Sequence, residues 1–426
     1  MKSTLPAFPI RQLLHVNAAT LLLFLLVVSA EAQSSGFELC SPKNGDHFEV
    51  SEPLLFWQSS TGAARYEVFI DSSEAGEVPA ENVAVMRFAV ATQLPPGNHQ
   101  WFVKAVSPSG GELVSSNFTF TIDPPANWPA WAIGPFVRYG NNPILKPRGE
   151  GWEGWNTYNP GVIFDDGRFR MLYRGQEQRD GKTRSREGYA ESRDGVTFNR
   201  YANPVIDATA VYEQKYGCED ARISKYHGVY YSFYTGAISN KISLCEATST
   251  DATNWTKLGV IHVGTKNGAL VCDPHGVPVR INGKFAMYTG DMRCGVSYSD
   301  DLTNWSAITW IDMHFPQGWV RPWEPCVAVA NYSAANPEGI VLFIAGTLNG
   351  KNQWYYAISE ALFSKADLTR KVDQLNDCIF KPQESYESGT FPNCVWMNSL
   401  FLHDNQWWMH YGAGDRNIGL ATAPAK

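Results

Sequence analysis

One strand pair joined by a tight turn recurs along this chain, and a chain built from such copies has few folds open to it. The pair reads VIFDDGRFRMLYRG from Val162, RISKYHGVYYSFYTG from Arg222, PVRINGKFAMYTG from Pro278 and SLFLHDNQWWMHYGAG from Ser399, with a looser copy, NPEGIVLFIAG, from Asn336. The turn glycines Gly167, Gly228, Gly283 and Gly339 stand 61, 55 and 56 residues apart. A third strand of small and polar residues follows each pair: EGYAESRDGVTF, ISLCEATSTDATNW, CGVSYSDDLTNW, YAISEALFSKADL and NIGLATAPA. A unit of three or four antiparallel strands cannot bury both its faces alone, so five of them are expected to stack radially as a five-bladed β-propeller over residues 131–426. The fifth copy ends with the chain after its third strand, so residues near Trp131 to Val137 are expected to supply its outer strand.

Short strands such as Tyr66–Ile70, Gln100–Val106 and Phe118–Ile122, separated by Pro-Pro-Gly and Pro-Ser-Gly-Gly turns, predict a small immunoglobulin- or fibronectin-like β-sandwich over residues 36–123. No acid cluster or metal spacing marks it, so a spacer or docking role is expected. Residues 124–130, with Pro124, Pro125 and Pro129, read as a stiff linker. At the N-terminus Lys2 and Arg11 precede an apolar run from Ala18 to Ala30, and Ala30-Glu31-Ala32 has the small-x-small pattern of a cleavage site. The run is shorter than the ~20 residues a spanning helix needs. Residues 1–32 are therefore expected to be a cleaved export signal, with the mature protein secreted, periplasmic or at the cell surface.

Composition supports an all-β chain: 13% of residues are aromatic and only 18% charged, with 36 Gly and 25 Pro. The net charge of −7 argues against a nucleic-acid partner, which needs a basic face. No HExxH, GxSxG or phosphate-cradling GxxxxGK[ST] sequence occurs, so no metal or cofactor is expected. Export makes disulfides permissible for the eight cysteines. Cys218, Cys272, Cys326 and Cys394 fall at equivalent places in the repeat, open to a thiol-lined axis, to neighbouring disulfides or, by default, to packing as small apolar groups.

In a ring of such units the segments leading into each innermost strand converge on a central pocket. They offer Asn159 in the first unit, Glu219, Asp220 and Arg222 in the second, Asp273 in the third, Trp323 and Glu324 in the fourth and Asn393 in the fifth. Acids, an arginine and indoles around one cavity suit a sugar: carboxylates for proton transfer, planar polar groups for hydroxyls, aromatic faces for C–H surfaces. Since adjacent strand residues point to opposite faces, Glu219 and Asp220 are not expected to share a substrate.

NPILKP at Asn142, YNPGVIFDDGRFRMLYRG at Tyr158, GYAESRDGVTF at Gly188, CEDARI at Cys218 and YGAGDRNIGLATA at Tyr411 together resemble glycoside hydrolase family 130 over about residues 140–426. The resemblance implies a five-bladed propeller acting on β-mannosides with inversion, as a phosphorylase or a hydrolase. It implies that Asp220 is the general acid and that Asn159, Arg174, Arg222 and Asp415 fall at sugar-binding or neighbouring positions. It also implies, in a phosphorylase, a His-Arg pair and a Tyr-His-Gly cradling phosphate, where this chain has Thr289-Gly290 and Ile344-Ala345-Gly346. With only Arg174 and Lys266 left as cations, the expectation is hydrolysis, with Glu324 as the base and Asp291 assisting or substituting. The alternatives are a phosphate-dependent β-mannoside phosphorylase and a non-catalytic glycan-binding propeller. In each case the partner is an oligosaccharide or glycan.

Overall fold

The computed structural model describes residues 36–124, 126–179, 181–238, 241–313, 319, 324–330, 338–349 and 354–425. The expected export signal and Trp323 lie outside them. Among the described residues the chain is all-β, and helix is confined to three single 3₁₀ turns, Gly151–Glu153, Val211–Glu213 and Ser385–Glu387. No helix there is long and apolar enough to cross a membrane.

The repeats form five antiparallel units. Unit 1 runs Asn156–Asp165, Arg168–Arg179, Lys182–Ser192, Asn199–Arg200, and unit 2 runs Gly217–Tyr226, Val229–Ile238, Lys241–Ser249, Thr256–Val263. In unit 3, Ala269–Cys272 and Arg280–Ile281 both pair with Lys284–Thr289, followed by Cys294–Ser299 and Thr309–Ile311. Unit 4 is Glu324–Ala330, Gly339–Asn349, Trp354–Ser364, Lys371–Gln374. Unit 5 sets Val395–Met397 and Phe401–His403 against Gln406–Ala413, then Asn417–Pro424, and takes its outer strand from far upstream: Val137–Arg138 pairs with it, Val137 opposite Thr422. The missing outer strand therefore comes from the expected segment.

The tight turns explain the repeat. Asp166-Gly167, His227-Gly228 and Asn282-Gly283 all have positive φ at both positions. That is the type I′ geometry, whose twist matches the flanking strands and which favours Asn, Asp or Gly. The third and outer strands are joined by a second recurring device. Asp251 accepts backbone N–H bonds from Thr253 and Asn254 at 2.8 and 2.7 Å, and Asp301 does the same for Thr303 and Asn304. In each, the tryptophan that follows packs back and donates its indole N–H to the loop.

Each unit touches the next. Unit 1 meets unit 2 through a parallel bridge, Ser185 to Gly217, and unit 3 meets unit 4 through Val271 opposite Ala328. Units 2 and 3 share an apolar cluster of Phe233, Leu244, Leu270, Phe285 and Met287. Tyr356 bridges to Cys394 between units 4 and 5. Unit 5 returns to unit 1, where Ser399 Oγ accepts the Val162 N–H at 2.9 Å.

Ahead of these units, Leu39–Ser41, Leu54–Gln58 and Val85–Ala89 form one sheet, and Asp46–Phe48, Phe118–Ile122, Gly97–Val106, Arg65–Ile70 and Ser73–Pro79 another. Trp57, Tyr66, Val68, Trp101 and Phe120 are buried between them. This segment is not merely tethered. Phe56 meets Trp408 edge-on at 6.0 Å, within an apolar cluster that also takes in Leu54, Val85, Phe169 and Leu420. Arg87 Nε donates to Asp404 Oδ2 at 2.8 Å, and the Val85 N–H donates to Asp194 Oδ2 at 3.1 Å.

Candidate active site

The inner strands enter the centre with a deliberate fault. The ladder slips between Tyr158 and Gly161 in unit 1, between Glu219 and Arg222 in unit 2, and between Pro325 and Val327 in unit 4. Asn159 and Asp220 have φ of 47° and 59°. A bulge with one residue in the left-handed region breaks strict alternation, so neighbouring side chains turn the same way. This corrects the expectation for Glu219 and Asp220: both face the cavity, and Arg174 holds them together, Nη2 to Glu219 at 2.7 Å and Nη1 to Asp220 at 3.2 Å. Two glycines make room for the crowding. A Cβ at Gly161 would stand 2.5 Å from the Ala221 carbonyl oxygen, and one at Gly412 would stand 2.1 Å from Asn159 Oδ1.

The result is a cavity of about 190 Å³ with two unlike walls. Asn159, Arg174, Glu219, Asp220, Lys266, Glu324 and Asp415 make the polar wall; Tyr356, Phe391 and Trp396, with Cys394, make the other. Asn159 Nδ2 donates to Asp220 Oδ1 at 2.8 Å, and the Arg174 guanidinium lies 4.7 Å over the Tyr158 ring. Opposite them, Lys266 Nζ reaches Glu324 at 3.1 Å and Asp291 at 3.3 Å, and Asn267 Nδ2 donates to Glu324 Oε2 at 2.9 Å.

Burial works to raise the carboxyls of Asp220, Glu219, Asp415 and Glu187, and the local partners decide the outcome. For Asp220, Arg174, Asn159 and Lys266 together outweigh burial and hold it below the usual carboxylate range. Glu219 stays raised, because burial and the Asp220 charge exceed what Arg174 returns. Asp415 makes no ion pair among the described residues, with the Cys394 thiol at 3.8 Å, and burial pushes it up to about 6 against the more distant Arg174 charge. Beneath them Glu187 is fully buried and raised well above its ordinary value. Lys266 is raised by Glu324, Asp291 and Asp220 against the opposing effect of burial.

Of the residues singled out in the sequence, Asn159, Arg174, Asp220, Glu324 and Asp415 line the cavity, and Asp291 stands at its edge on Lys266. Three do not serve as expected. Arg222 lies behind the cavity, with its guanidinium on backbone carbonyls. Asp273 caps a turn, its Oδ1 accepting the His275 and Val277 N–H groups at 2.8 and 3.0 Å. It follows the strand Ala269–Cys272, so it stands at the far end of that strand from the cavity. The residue with the equivalent left-handed backbone in this lead-in is Asn267, at φ 62°, and the excursion between Asp273 and Val279 hid the correspondence. Asn393 contributes its backbone carbonyl, which accepts the Tyr356 N–H at 2.9 Å.

Lys266, Tyr356, Phe391 and Trp396 were not among the expected sugar-binding residues. Phe391 and Trp396 flank the lead-in to unit 5 and were legible from it. Tyr356 sits past the turn of the loosest repeat, where no spacing marked it. All eight cysteines are free thiols, which removes the disulfide alternative. No three His, Cys, Asp or Glu side chains are grouped to hold a metal among the described residues.

Buried carboxylates facing one another across an aromatic-walled cavity of monosaccharide size define a carbohydrate-active enzyme. The chain belongs to glycoside hydrolase family 130: residues 134–426 match the family model described as beta-1,4-mannooligosaccharide phosphorylase. It is 29% identical over 301 residues to a 1,2-beta-oligomannan phosphorylase of Thermoanaerobacter sp. (strain X514), covering 68% of this chain and 97% of that protein. A glycosyl hydrolase from Bacteroides ovatus has a similar structure, at 28% identity and a TM-score of 0.64 over 70% of this chain and 97% of its own. So does a structure reported under the finding that this family of mannoside phosphorylases contains glycoside hydrolases targeting β-1,2 mannosidic linkages in Candida mannan. It has 28% identity and a TM-score of 0.63, covering 70% of this chain and 98% of its own.

Proposed function

We propose that this chain cleaves β-mannosidic bonds with inversion, and that phosphate is the acceptor. The observation that carries the cleavage is Asp220, buried on a bulge between Arg174 and Asn159, with Glu324 across the cavity. On this reading Asp220 delivers a proton to the leaving oxygen as the C1–O bond breaks, while an oxygen of the acceptor attacks C1 from the opposite face. The mannosyl ring rests its C–H face on Tyr356 and Trp396, and Asn159 and Asp415 take its hydroxyls. The five units are read as the blades of a five-bladed propeller, and residues 36–123 as a small immunoglobulin-like sandwich docked on it.

Phosphate is favoured over the hydrolysis expected from the sequence because the family model and the Thermoanaerobacter relative both carry phosphorylase names. Among the described residues, Arg174 and Lys266 are the cations that line the cavity. Water as acceptor, activated by Glu324, stays as a second reading on one observation: both cations are already held by carboxylates, two each. Counted over the described residues, a phosphate dianion would enter a net negative pocket. Proton uptake by Asp415 and Glu219, both raised, reduces that charge.

Asp220→Asn tests the proposed chemistry against a purely glycan-binding role. Turnover of a β-mannobiose is expected to fall by about 10³-fold or more, with binding of the intact disaccharide retained in calorimetry. Full activity in the variant would overturn the assignment of the acid.

A further inference from the structure

Arg222 is a buried cation that, among the described residues, makes no ion pair with a carboxylate. It is 5% exposed, and its contacts are with neutral acceptors. Nε donates to the Cys326 carbonyl at 3.0 Å, Nη1 to the Asp220 carbonyl at 3.3 Å, and Nη2 to the Pro325 carbonyl at 3.2 Å and to Asn267 Oδ1 at 3.4 Å. Burial lowers its proton affinity by more than the nearby acidic groups, Asp220 and Glu324 among them, restore. A desolvated guanidinium is expensive to keep, and an apolar side chain would fill the same space at less cost. Its geometry accounts for its presence.

The four acceptors belong to the two lead-ins that carry the opposing carboxylates and to the lead-in of unit 3, which carries Asn267. The Asp220 carbonyl lies at the bulge of unit 2, Pro325 and Cys326 at the bulge of unit 4, and Asn267 is the residue that donates to Glu324 Oε2 at 2.9 Å. Bulges free carbonyls from the ladder, and a buried free carbonyl needs a donor. One rigid fork supplies donors to both bulges at once, which a lysine, with a single compact ammonium, cannot match.

Resting on the proposed cleavage reaction, we propose that Arg222 is a positioning residue that fixes the separation of Asp220 and Glu324 across the axis. It touches neither sugar nor acceptor. It holds the two carboxylates at the spacing that admits an acceptor on the far side of C1 from the acid, the geometry that inversion requires.

The test is a double-mutant cycle in the full chain, using β-mannobiose with phosphate. Misplacement of reacting groups by about 1 Å costs about a hundredfold in rate. Arg222→Lys, checked as folded by circular dichroism and thermal midpoint, is therefore expected to lose about a hundredfold in kcat, with KM changed less than about threefold. Arg222→Met is expected to lose at least as much. In the Asp220→Asn background, adding Arg222→Lys is expected to cost less than about threefold more, since the group it positions is already inactive. A folded Arg222→Lys with kcat within about threefold of wild type would overturn the inference. So would losses that multiply across the cycle, or a rise in KM that accounts for the whole defect. A wild type silent on every β-mannoside would overturn the parent reading and this inference with it. An active wild type with an active Arg222→Lys would overturn only the latter.

Discussion

Asp220 shows how a single backbone angle changes the chemistry available to a strand. In a regular strand it and Glu219 would face opposite sides, and Arg174 could hold only one of them. With φ at 59° both meet the same guanidinium. The acid–Asp–x–Arg string was visible in the sequence, but the bulge was not, because nothing in those four residue types demands one. Its supports are remote: Glu187 Oε1 accepts the freed Ala221 N–H at 3.3 Å, and Arg222 takes the Asp220 carbonyl. The same arrangement sets the pH behaviour. Asp220 is held below the usual carboxylate range, so as the proposed acid it must take its proton from a raised neighbour; Asp415, raised to about 6, keeps a proton to supply below that pH and loses it above. An acid-catalysed cleavage needs a proton in the cavity, so kcat/KM is expected to fall as pH rises through about 6. Asp415→Asn is expected to abolish that limb of the profile. A limb unchanged in the variant would assign it to another group.

The three 3₁₀ turns share a design that the strand repeat concealed. Each ends in a fully buried glutamate that accepts the hydroxyl of a tyrosine on its unit's second strand. Glu153 takes Tyr173 at 2.9 Å, Glu213 takes Tyr234 at 2.8 Å and Glu387 takes Tyr411 at 2.8 Å. Each also holds a cation from the outer strand of its unit: Arg200, Lys257 and Arg138. The clamp ties the innermost lead-in to the outermost strand, and so fixes the segments carrying Asn159, Asp220 and Cys394. Breaking a buried pair leaves both partners unsatisfied. Glu213→Ala is expected to destabilise the protein by about 3 kcal/mol, seen as a lower thermal midpoint, whereas a midpoint unchanged within a degree would show that the clamp is dispensable. Trp-Glu, Tyr-Glu and Tyr-Glu precede units 1, 2 and 5 in the sequence. They were unread because the spacing to the tight turns, not to these glutamates, defined the repeat. The tight turns themselves were plain, since Asp-Gly, His-Gly and Asn-Gly between alternating strands leave little choice of geometry.

The order of the five units and the upstream origin of the last outer strand followed from the repeat alone. The fit between the two ends of the chain did not. The segment ahead of the units was read as a spacer or docking module, because its pattern held no acid or metal cluster, but nothing in it named the residues it docks through. Its Phe56 and Arg87 are spent on Trp408 and Asp404. Docking of this kind is decided by surface residues whose partners lie over 300 residues away, and no local period reveals them. The charge of the cavity was likewise hidden until Lys266 and Asp415 came together in space, and that charge bears most directly on the acceptor. The decisive measurement is product analysis of β-1,2- and β-1,4-mannobiose incubated with the full chain, with and without inorganic phosphate. Mannose 1-phosphate of inverted configuration, formed only when phosphate is present, is the predicted result. Free mannose released at the same rate with and without phosphate would contradict it.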